Sequence, residues 1–161
     1  MPDIILIAHN IRSTHNVGSL FRTAEGFGVN KIILSGYSPY PKVTHDPRLP
    51  HIYEKLTDQI HKTALGAEDM VPFEYAELPA LENLREQGYR IVGLEQHDRS
   101  ISLDQYSAPD KIALIIGEEV HGIESALLDH CEDIIEIPMQ GRKESFNVSV
   151  ATGIALYALT T

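Results

Sequence analysis

Short apolar runs rich in β-branched residues alternate along this chain with segments whose apolar residues recur at helical spacing. The runs are residues 3–8, 31–36, 71–75, 90–95, 112–117 and 134–138. The helical patterns lie around residues 17–27, 56–64, 78–84, 123–130 and 147–159. Continuous apolar runs are typical of strands that are buried on both faces. We therefore predict one α/β domain over residues 1–161, with a mostly parallel sheet and helices on both faces.

Glycines and prolines divide these elements from one another. Gly28 is placed to end the first helix, and Gly18 would let another backbone approach that helix closely. Residues 36–53 contain four prolines, so we expect an irregular loop there, followed by a helix around Leu56.

The net charge of −10 argues against nucleic acid only if it is evenly spread, and it is not. Residues 1–62 carry seven Lys/Arg against five Asp/Glu, a net of +2. Residues 68–110 carry three against ten, a net of −7, and residues 111–161 carry three against eight, a net of −5. A local basic face on an acidic body can still bind phosphates, with a strong salt dependence.

Other compositional features point to a reducing cytoplasm and away from membranes. The apolar runs are too short to span a bilayer, and the residues after Met1 do not form a basic signal region. Cys131 is the only cysteine, and its helical context favours a buried, inert thiol over a reactive one.

Three loops follow strands at the edge where parallel α/β sheets bind ligands. The first, 9–28, places Asn10, Arg12 and Asn16 near a helix start, with Arg22 on the helix. Arg22 is either a surface or ion-paired arginine or a contact for phosphate. In the second, 115–124, a buried strand runs into Gly117 and the carboxylates of Glu118 and Glu119, with Gly122 further on. Glu118 and Glu119 either stabilise the start of the next helix or contact a ligand.

The third loop, 137–157, is the most informative. Pro138 ends a strand, a basic turn follows, and Ser145, Asn147 and Ser149 precede a helix of small residues. Helix capping explains one of these polar side chains but not all three.

The sequence lacks the motifs of several other kinds of functional site. The eight histidines are scattered without paired metal-ligand spacing, so we expect no metal site. The chain has no GxSxG elbow for a serine hydrolase, and the 117–122 glycines are not followed by the Lys-Ser/Thr of a phosphate loop.

The three loops together resemble the three sequence motifs of the SpoU (TrmH-type) family of RNA methyltransferases, within the SPOUT superfamily. The matching segments are Asn10-Ile11-Arg12 with Asn16-Val17-Gly18 and Arg22-Thr23-Ala24; Ile115-Ile116-Gly117-Glu118-Glu119 with Gly122; and Ile137-Pro138-Met139, Gly141 and Ser145 to Ala151. Three motifs in the right order over nearly the whole chain make the resemblance specific. Phe146 stands where leucine is common in the family, and we expect no additional RNA-binding domain.

The resemblance implies a C-terminal deep trefoil knot, a homodimer and S-adenosyl-L-methionine bound in a bent form. It implies transfer of a methyl group to a ribose 2′-hydroxyl of RNA, with tRNA favoured over rRNA. The cofactor residues it implies are Leu94, Gly117, Ile137, Met139, Ser145, Phe146 and Asn147.

The resemblance also implies the reacting side chains. They are Arg22, Asn10, Glu118, Ser145 and Asn147, with Arg22 stabilising the developing alkoxide and Glu118 orienting its arginine or the partner motifs. For the RNA we expect Arg12, Lys42, Arg48, Arg142 and Lys143, with loop 37–55 as the main contact or as a plain solvated loop. Because the chain is acidic, an accessory protein for RNA binding is a further expectation.

Two other functions stay open on the sequence. One is a non-catalytic RNA- or cofactor-binding module that has kept the fold, although Arg22, Glu118, Ser145 and Asn147 all match the motifs. The other is a different nucleotide-binding α/β protein, which would bind nucleotide instead of S-adenosyl-L-methionine.

Overall fold

A parallel sheet of seven strands organises the computed structural model, which describes residues 1–161. The strands are β1 (Asp3–His9), β2 (Lys31–Ser35), β3 (Phe73–Ala76), β4 (Arg90–Leu94), β5 (Ile101–Ser102), β6 (Lys111–Ile116) and β7 (Asp133–Glu136). Their order across the sheet is β3-β2-β1-β6-β4-β7-β5, and every neighbouring pair is parallel. The predicted parallel α/β sheet is confirmed.

Five helices cover the two faces of this sheet. They are α1 (Thr14–Gly26), α2 (Pro50–Ala64), α3 (Leu81–Glu86), α4 (Ser125–Leu128) and α5 (Val148–Thr160). None of them has both the length and the hydropathy that a bilayer-spanning segment requires.

Alternation along the central strands divides the core into two layers. Ile4, Leu6 and Ala8 of β1 join the larger cluster with buried residues of α1, α2 and α5. Ile5 and Ile7 face the opposite side, where α3 and α4 supply leucines. Side chains alternate between the faces of a strand, so a strand that is apolar throughout needs helices on both sides.

Close packing of α1 against α2 depends on Gly18. A Cβ at this position would lie 2.3 Å from the carbonyl oxygen of Ile60 and 2.0 Å from Oγ1 of Thr63. The predicted close approach of a second backbone is therefore confirmed. Gly28 adopts a left-handed conformation just after α1 (φ 68°), as expected where a helix ends.

Some element boundaries differ from the sequence predictions. Helix α2 begins at Pro50, inside the segment expected to be loop, because proline is well tolerated in the first turn of a helix. Leu78 was expected in a helix but precedes α3 and is exposed. The two-residue strand β5 was not predicted, since two residues carry no readable pattern.

Cys131 is buried beneath α4, as predicted. Burial raises the pKa of its thiol to about 12, so the thiol is protonated near neutral pH and chemically inert.

Candidate active site

The functional edge of the sheet is defined by the carboxyl ends of β1, β6, β4 and β7, which are consecutive in the sheet. The chain runs from β1 outward to β2 and β3 on one side, and β6, β4 and β7 lie on the other side. The order therefore reverses between β1 and β6, the place where open α/β sheets form binding crevices.

A cavity of about 480 Å³ opens at this edge. Its walls are residues 94–97, 116–123 and 144–146, with contributions from Ser125, Leu128, Glu136, Ile137, Val148 and Ala151. Five of the seven predicted cofactor residues line it: Leu94, Gly117, Ile137, Ser145 and Phe146. Met139 and Asn147 do not. The volume and the mixed lining suit a ligand the size of a nucleoside derivative.

Two glycines bring the backbone of the second loop close to the strand ends. A Cβ on Gly117 would lie 2.6 Å from the carbonyl carbon of Gly122 and from the amide nitrogen of Ile123. Gly122 has a left-handed φ of 70°, and a Cβ there would lie 2.0 Å from Oε2 of Glu95. Neither position has room for a side chain, so the cavity wall here is backbone.

Glu118 holds this loop in shape. Its carboxylate accepts hydrogen bonds from the amides of His121 (2.8 Å) and Val120 (3.2 Å). The His121 hydrogen bond is the main cause that keeps the pKa of Glu118 below its ordinary value. Glu118 was expected to orient the arginine or the partner motifs; the hydrogen bonds of its carboxylate go to its own loop, where two amides are within reach.

Glu95 is a site residue that the sequence analysis did not select. It follows β4, lines the cavity and accepts a hydrogen bond from the amide of Ile123 at 2.8 Å. Glu95 therefore ties the end of β4 to the loop after β6. The available signal was a carboxylate directly after a buried apolar strand, the same signal that drew attention to Glu118.

A polar cluster beside the cavity joins all three motif loops. Asn16 donates a hydrogen bond from Nδ2 to the carboxylate of Glu119. Asn147 donates from Nδ2 to Oδ1 of Asn16 at 3.4 Å, while its own Oδ1 caps α5 by accepting from the amide of Ser149 at 2.9 Å. Asn16 and Glu119 belong to the motif segments, but the resemblance assigned them no role at the site. Both lie in this cluster, whereas Asn10 does not contact it.

Asn10 connects the first loop to two other segments. It adopts a left-handed conformation (φ 57°), which asparagine tolerates better than most residues. Its Oδ1 accepts from the amide of Tyr37 at 3.0 Å, and its Nδ2 donates to Glu124 at 2.7 Å. These contacts make Asn10 a bridge between loops.

Arg22 and Ser145 both have exposed side chains. Arg22 projects from α1 without an ion pair or hydrogen bond and does not line the cavity. Ser145 lines the cavity. Both side chains are free to contact a ligand.

The five cations expected to contact RNA fall into two groups. Arg12, Lys42, Arg142 and Lys143 are exposed and form no ion pair. Arg48 instead donates to Asp46 (2.7 Å) and to the carbonyl oxygens of Tyr40 (2.9 Å) and Pro41 (3.2 Å), which places its guanidinium in the interior of its own loop. No group of three or more potential metal ligands lies together.

These features define the class of protein. A parallel α/β sheet, with a cofactor-sized cavity built from loops after its strands and a polar cluster joining three motifs, is the arrangement of a group-transfer or nucleotide-binding enzyme. The model of the SpoU rRNA Methylase family matches residues 3–157, and the chain belongs to this family.

Relatives of known name agree with this assignment. The 23S rRNA (guanosine-2′-O-)-methyltransferase RlmB of Nitrosomonas europaea is 32% identical over 158 residues, which are 97% of this chain and 55% of that protein. The chain thus spans about half the length of this relative.

Solved structures share the fold. The A. aeolicus TrmH/SpoU tRNA modifying enzyme is 24% identical with a TM-score of 0.81, covering 99% of this chain and 75% of that one. The SpoU methyltransferase AviRb from Streptomyces viridochromogenes, in complex with the cofactor AdoMet, is 21% identical with a TM-score of 0.78, covering 98% and 57%. SpoU methyltransferases use S-adenosyl-L-methionine as their cofactor.

Proposed function

We propose that this protein is an S-adenosyl-L-methionine-dependent RNA methyltransferase acting on a ribose 2′-hydroxyl, with rRNA as the substrate class. The observation that carries the proposal is the meeting of Asn16, Glu119 and Asn147 beside the 480 Å³ cavity. Three separate motifs converge there on one place. The rRNA assignment is supported by the name of the 32% identical relative. The tRNA preference predicted from the sequence has no comparable support.

The residues present fit the cofactor. Leu94, Ile137 and Phe146 offer apolar contact for a flat base, and the glycine-bounded backbone at 117 and 122 allows close approach. The bound cofactor supplies an activated methyl group. Ser145, at the cavity wall, is placed to contact the cofactor or the ribose.

The protein contributes alignment and charge. Because a guanidinium stays protonated, Arg22 does not accept the proton of the 2′-hydroxyl, which passes to solvent water; Arg22 stabilises the negative charge that develops on the oxygen. Holding the oxygen and the methyl group in line supplies most of the acceleration. Glu118 and Asn10 act in this proposal by positioning the loops around the cavity.

RNA approaches over the exposed cations Arg12, Lys42, Arg142 and Lys143. The basic turn at 142–143 lies directly before the cavity residues 144–146, so phosphates bound there would lie near the reacting ribose. Because these cations contact phosphates, RNA affinity falls as the salt concentration rises. Since the net charge of the chain is −10, the proposal includes an accessory protein that supplies further RNA contacts.

The proposal includes a knotted C-terminal segment and a homodimer. After β7, residues 144–146 line the same cavity as residues 94–97 and 116–123, and Gln96 donates to the carbonyl oxygen of Glu144 at 2.8 Å. The chain then forms α5, which packs on α1. This proximity of three separate segments supports the knot. Exposed apolar residues Val150, Ile154 and Tyr157 along α5 support the dimer.

The decisive experiment incubates the protein with unmodified total RNA and labelled cofactor and maps the methylated nucleotide. We expect label on a ribose 2′-oxygen of rRNA. Calorimetry with S-adenosyl-L-methionine provides a second measurement. Cofactor binding without transfer to any RNA would favour the non-catalytic module, whereas failure to bind the cofactor even with RNA present would refute the enzyme.

The variant Arg22→Ala tests the reacting side chain. We expect a loss of turnover of about 10²- to 10³-fold, the usual effect of removing one oxyanion-stabilising donor, with unchanged folding and cofactor affinity. Arg99→Ala, another arginine on an exposed loop, is the control. Unchanged turnover in Arg22→Ala would remove Arg22 from the mechanism.

A further inference from the structure

A second groove, about 710 Å³ in volume, lies beside the first motif loop and shares no lining residue with the cofactor cavity. It runs between the start of α1 and the turn after β2. Arg12, Tyr37 and Gln59 are among its walls, and Tyr40 and Tyr75 also contribute.

The base of this groove is formed by two stacked tyrosine rings whose neighbouring groups already contact one another. The rings of Tyr40 and Tyr75 are parallel, with centroids 4.2 Å apart and 16° between their planes. The guanidinium of Arg48 lies 3.6 Å from the centroid of Tyr40, and the hydroxyl of Tyr75 donates to the carbonyl oxygen of Gly36 at 2.6 Å. Since these groups already have partners, they form a rigid support.

The rim differs, because its exposed ring and its cation contact each other and neither has a carboxylate partner. Tyr37 is 53% exposed, and Arg12 lies 5.7 Å from the centroid of its ring without any carboxylate partner. An exposed ring beside a guanidinium offers a flat stacking face together with a charge for phosphate. Proteins recognise unpaired RNA bases with this combination.

Tyr37 is held in place by the backbone on either side of it. Its amide donates to Oδ1 of Asn10, and the preceding Gly36 has a left-handed φ of 65°. A Cβ on Gly36 would lie 1.9 Å from that same Oδ1. The turn is therefore pressed against Asn10, and Tyr37 is presented on a fixed backbone.

The same asparagine connects this rim to the cofactor cavity. Nδ2 of Asn10 donates to Glu124, which directly follows Ile123 in the cavity wall. The charge of Arg12 is also close enough to contribute to the lowered pKa of Glu118, another residue of that wall. Two residues, Asn10 and Glu124, thus link the rim to the cavity wall.

We propose that Tyr37 and Arg12 form a stacking platform for an unpaired base of the RNA, in a nucleotide next to the one that is methylated. Tyr37 stacks on the base, and Arg12 contacts the same base or its phosphate. This inference rests on the proposed function and identifies the kind of RNA that fits the site: a loop, bulge or single-stranded region whose bases can leave the helix.

The test uses the intact protein and a short single-stranded RNA that contains 2-aminopurine, whose fluorescence falls when it stacks on an aromatic ring. We expect wild type to bind this RNA with quenching. Tyr37→Ala should bind about ten-fold more weakly, as expected for one lost stack, and should lose the quenching. Tyr37→Phe should retain both, and Arg12→Gln should weaken binding and flatten its salt dependence.

Tyr89→Ala is the matched control. Tyr89 also has a cation near its ring, with Nζ of Lys111 at 4.5 Å from the centroid, but it lies directly before β4 and lines neither the groove nor the cofactor cavity. We expect near wild-type binding and quenching. Equal binding by wild type and Tyr37→Ala, equal losses in Tyr37→Ala and Tyr89→Ala, or no quenching by wild type would overturn the platform.

Methylation of extracted RNA separates this inference from the proposed function. We expect Tyr37→Ala to raise KM for RNA with little change in kcat and in melting temperature. If wild type methylates RNA and Tyr37→Ala has an unchanged KM for RNA, the platform is refuted and the methyltransferase is not. A third outcome would refute the methyltransferase and leave the platform intact: wild type binds RNA with quenching, Tyr37→Ala loses both, and no RNA is methylated.

Discussion

Asn16, in the first turn of α1, donates a hydrogen bond to the carboxylate of Glu119, which lies 103 residues later in the chain. Asn147, at the start of α5, donates in turn to Asn16. The first, second and third motifs therefore meet through one asparagine. This contact fixes the start of α1 relative to both loops that form the cofactor cavity.

Replacing Asn16 should lower catalysis without unfolding the protein. In Asn16→Ala the Glu119 carboxylate loses its donor, and the three loops lose their common contact. We expect kcat/KM to fall by about 10- to 100-fold, the range for a hydrogen bond to a charged group. The measurement is methyl transfer to rRNA, with Asn30→Ala, an exposed asparagine just after α1, as control. Equal activity of the two variants would show that the cluster does not support catalysis.

Gly117→Ala should weaken cofactor binding. The added methyl group would lie 2.6 Å from the backbone of Gly122 and Ile123, so the cavity wall has to move. We expect the Kd for S-adenosyl-L-methionine to rise by about 5- to 100-fold, as overpacking of this kind costs roughly 1–3 kcal/mol. Calorimetry measures it. The control is Gly26→Ala, where nothing lies within 4 Å of the new Cβ, and it should bind the cofactor normally. A normal Kd in Gly117→Ala would show that cofactor binding does not depend on this part of the cavity wall.

The exposed apolar stripe on α5 should be a dimer interface. Val150, Ile154 and Tyr157 are 51%, 39% and 61% exposed, and their spacing places them on one side of the helix. Ile154→Asp places a charge in that stripe, so we expect a shift from dimer to monomer in analytical ultracentrifugation. Ile52→Asp, at a similarly exposed position on α2, should remain a dimer. A monomeric wild type would refute the interface.

The pair of Asp46 and Arg48 should stabilise the fold in a pH-dependent manner. The side-chain hydrogen bond from Arg48 holds the pKa of the Asp46 carboxyl well below its ordinary value of 3.8, and that side chain is only 2% exposed. A depressed folded-state pKa means that the stabilisation is complete above 3.8 and is lost as the pH falls below it.

We therefore expect Asp46→Asn to lower the free energy of unfolding by about 2 kcal/mol at neutral pH. The difference from wild type should shrink progressively below pH 3.8. Urea denaturation across this range measures it, and Asp58→Asn, on the exposed surface of α2, is the control. A difference that persists unchanged in acid would contradict an ionised Asp46.

The parallel sheet could be predicted because each central strand is apolar throughout, as in Ile4 to Ala8. Such a strand must be covered on both faces, and the intervening helical patterns supply the cover. The start of α2 at Pro50 and the two-residue strand β5 were missed. The first lies among prolines that favour loops, and the second is too short to have a period.

Some residues of the site could be predicted from the sequence and others could not. The residues Leu94, Gly117, Ile137, Ser145 and Phe146 line the cavity because Leu94 ends a strand and the others lie in loops that follow strands at the same edge of the sheet. Glu95 and Glu119 were not selected, and Arg48 was expected at the surface. A carboxylate or guanidinium can face water, a ligand or another part of the chain, and the local sequence is the same in each case.

By itself, the sequence determined the class of fold, the edge of the sheet at which ligands bind and the family, since these depend on local periodicity and on motifs in a fixed order. Only the tertiary structure decided which side chains meet. Asn16 reaches Glu119 and Asn147, Glu118 turns back to its own amides, and Tyr37 is pressed against Asn10. Such contacts join residues that are distant in the chain, and they depend on how the strands are ordered and how the helices pack, which no single segment encodes.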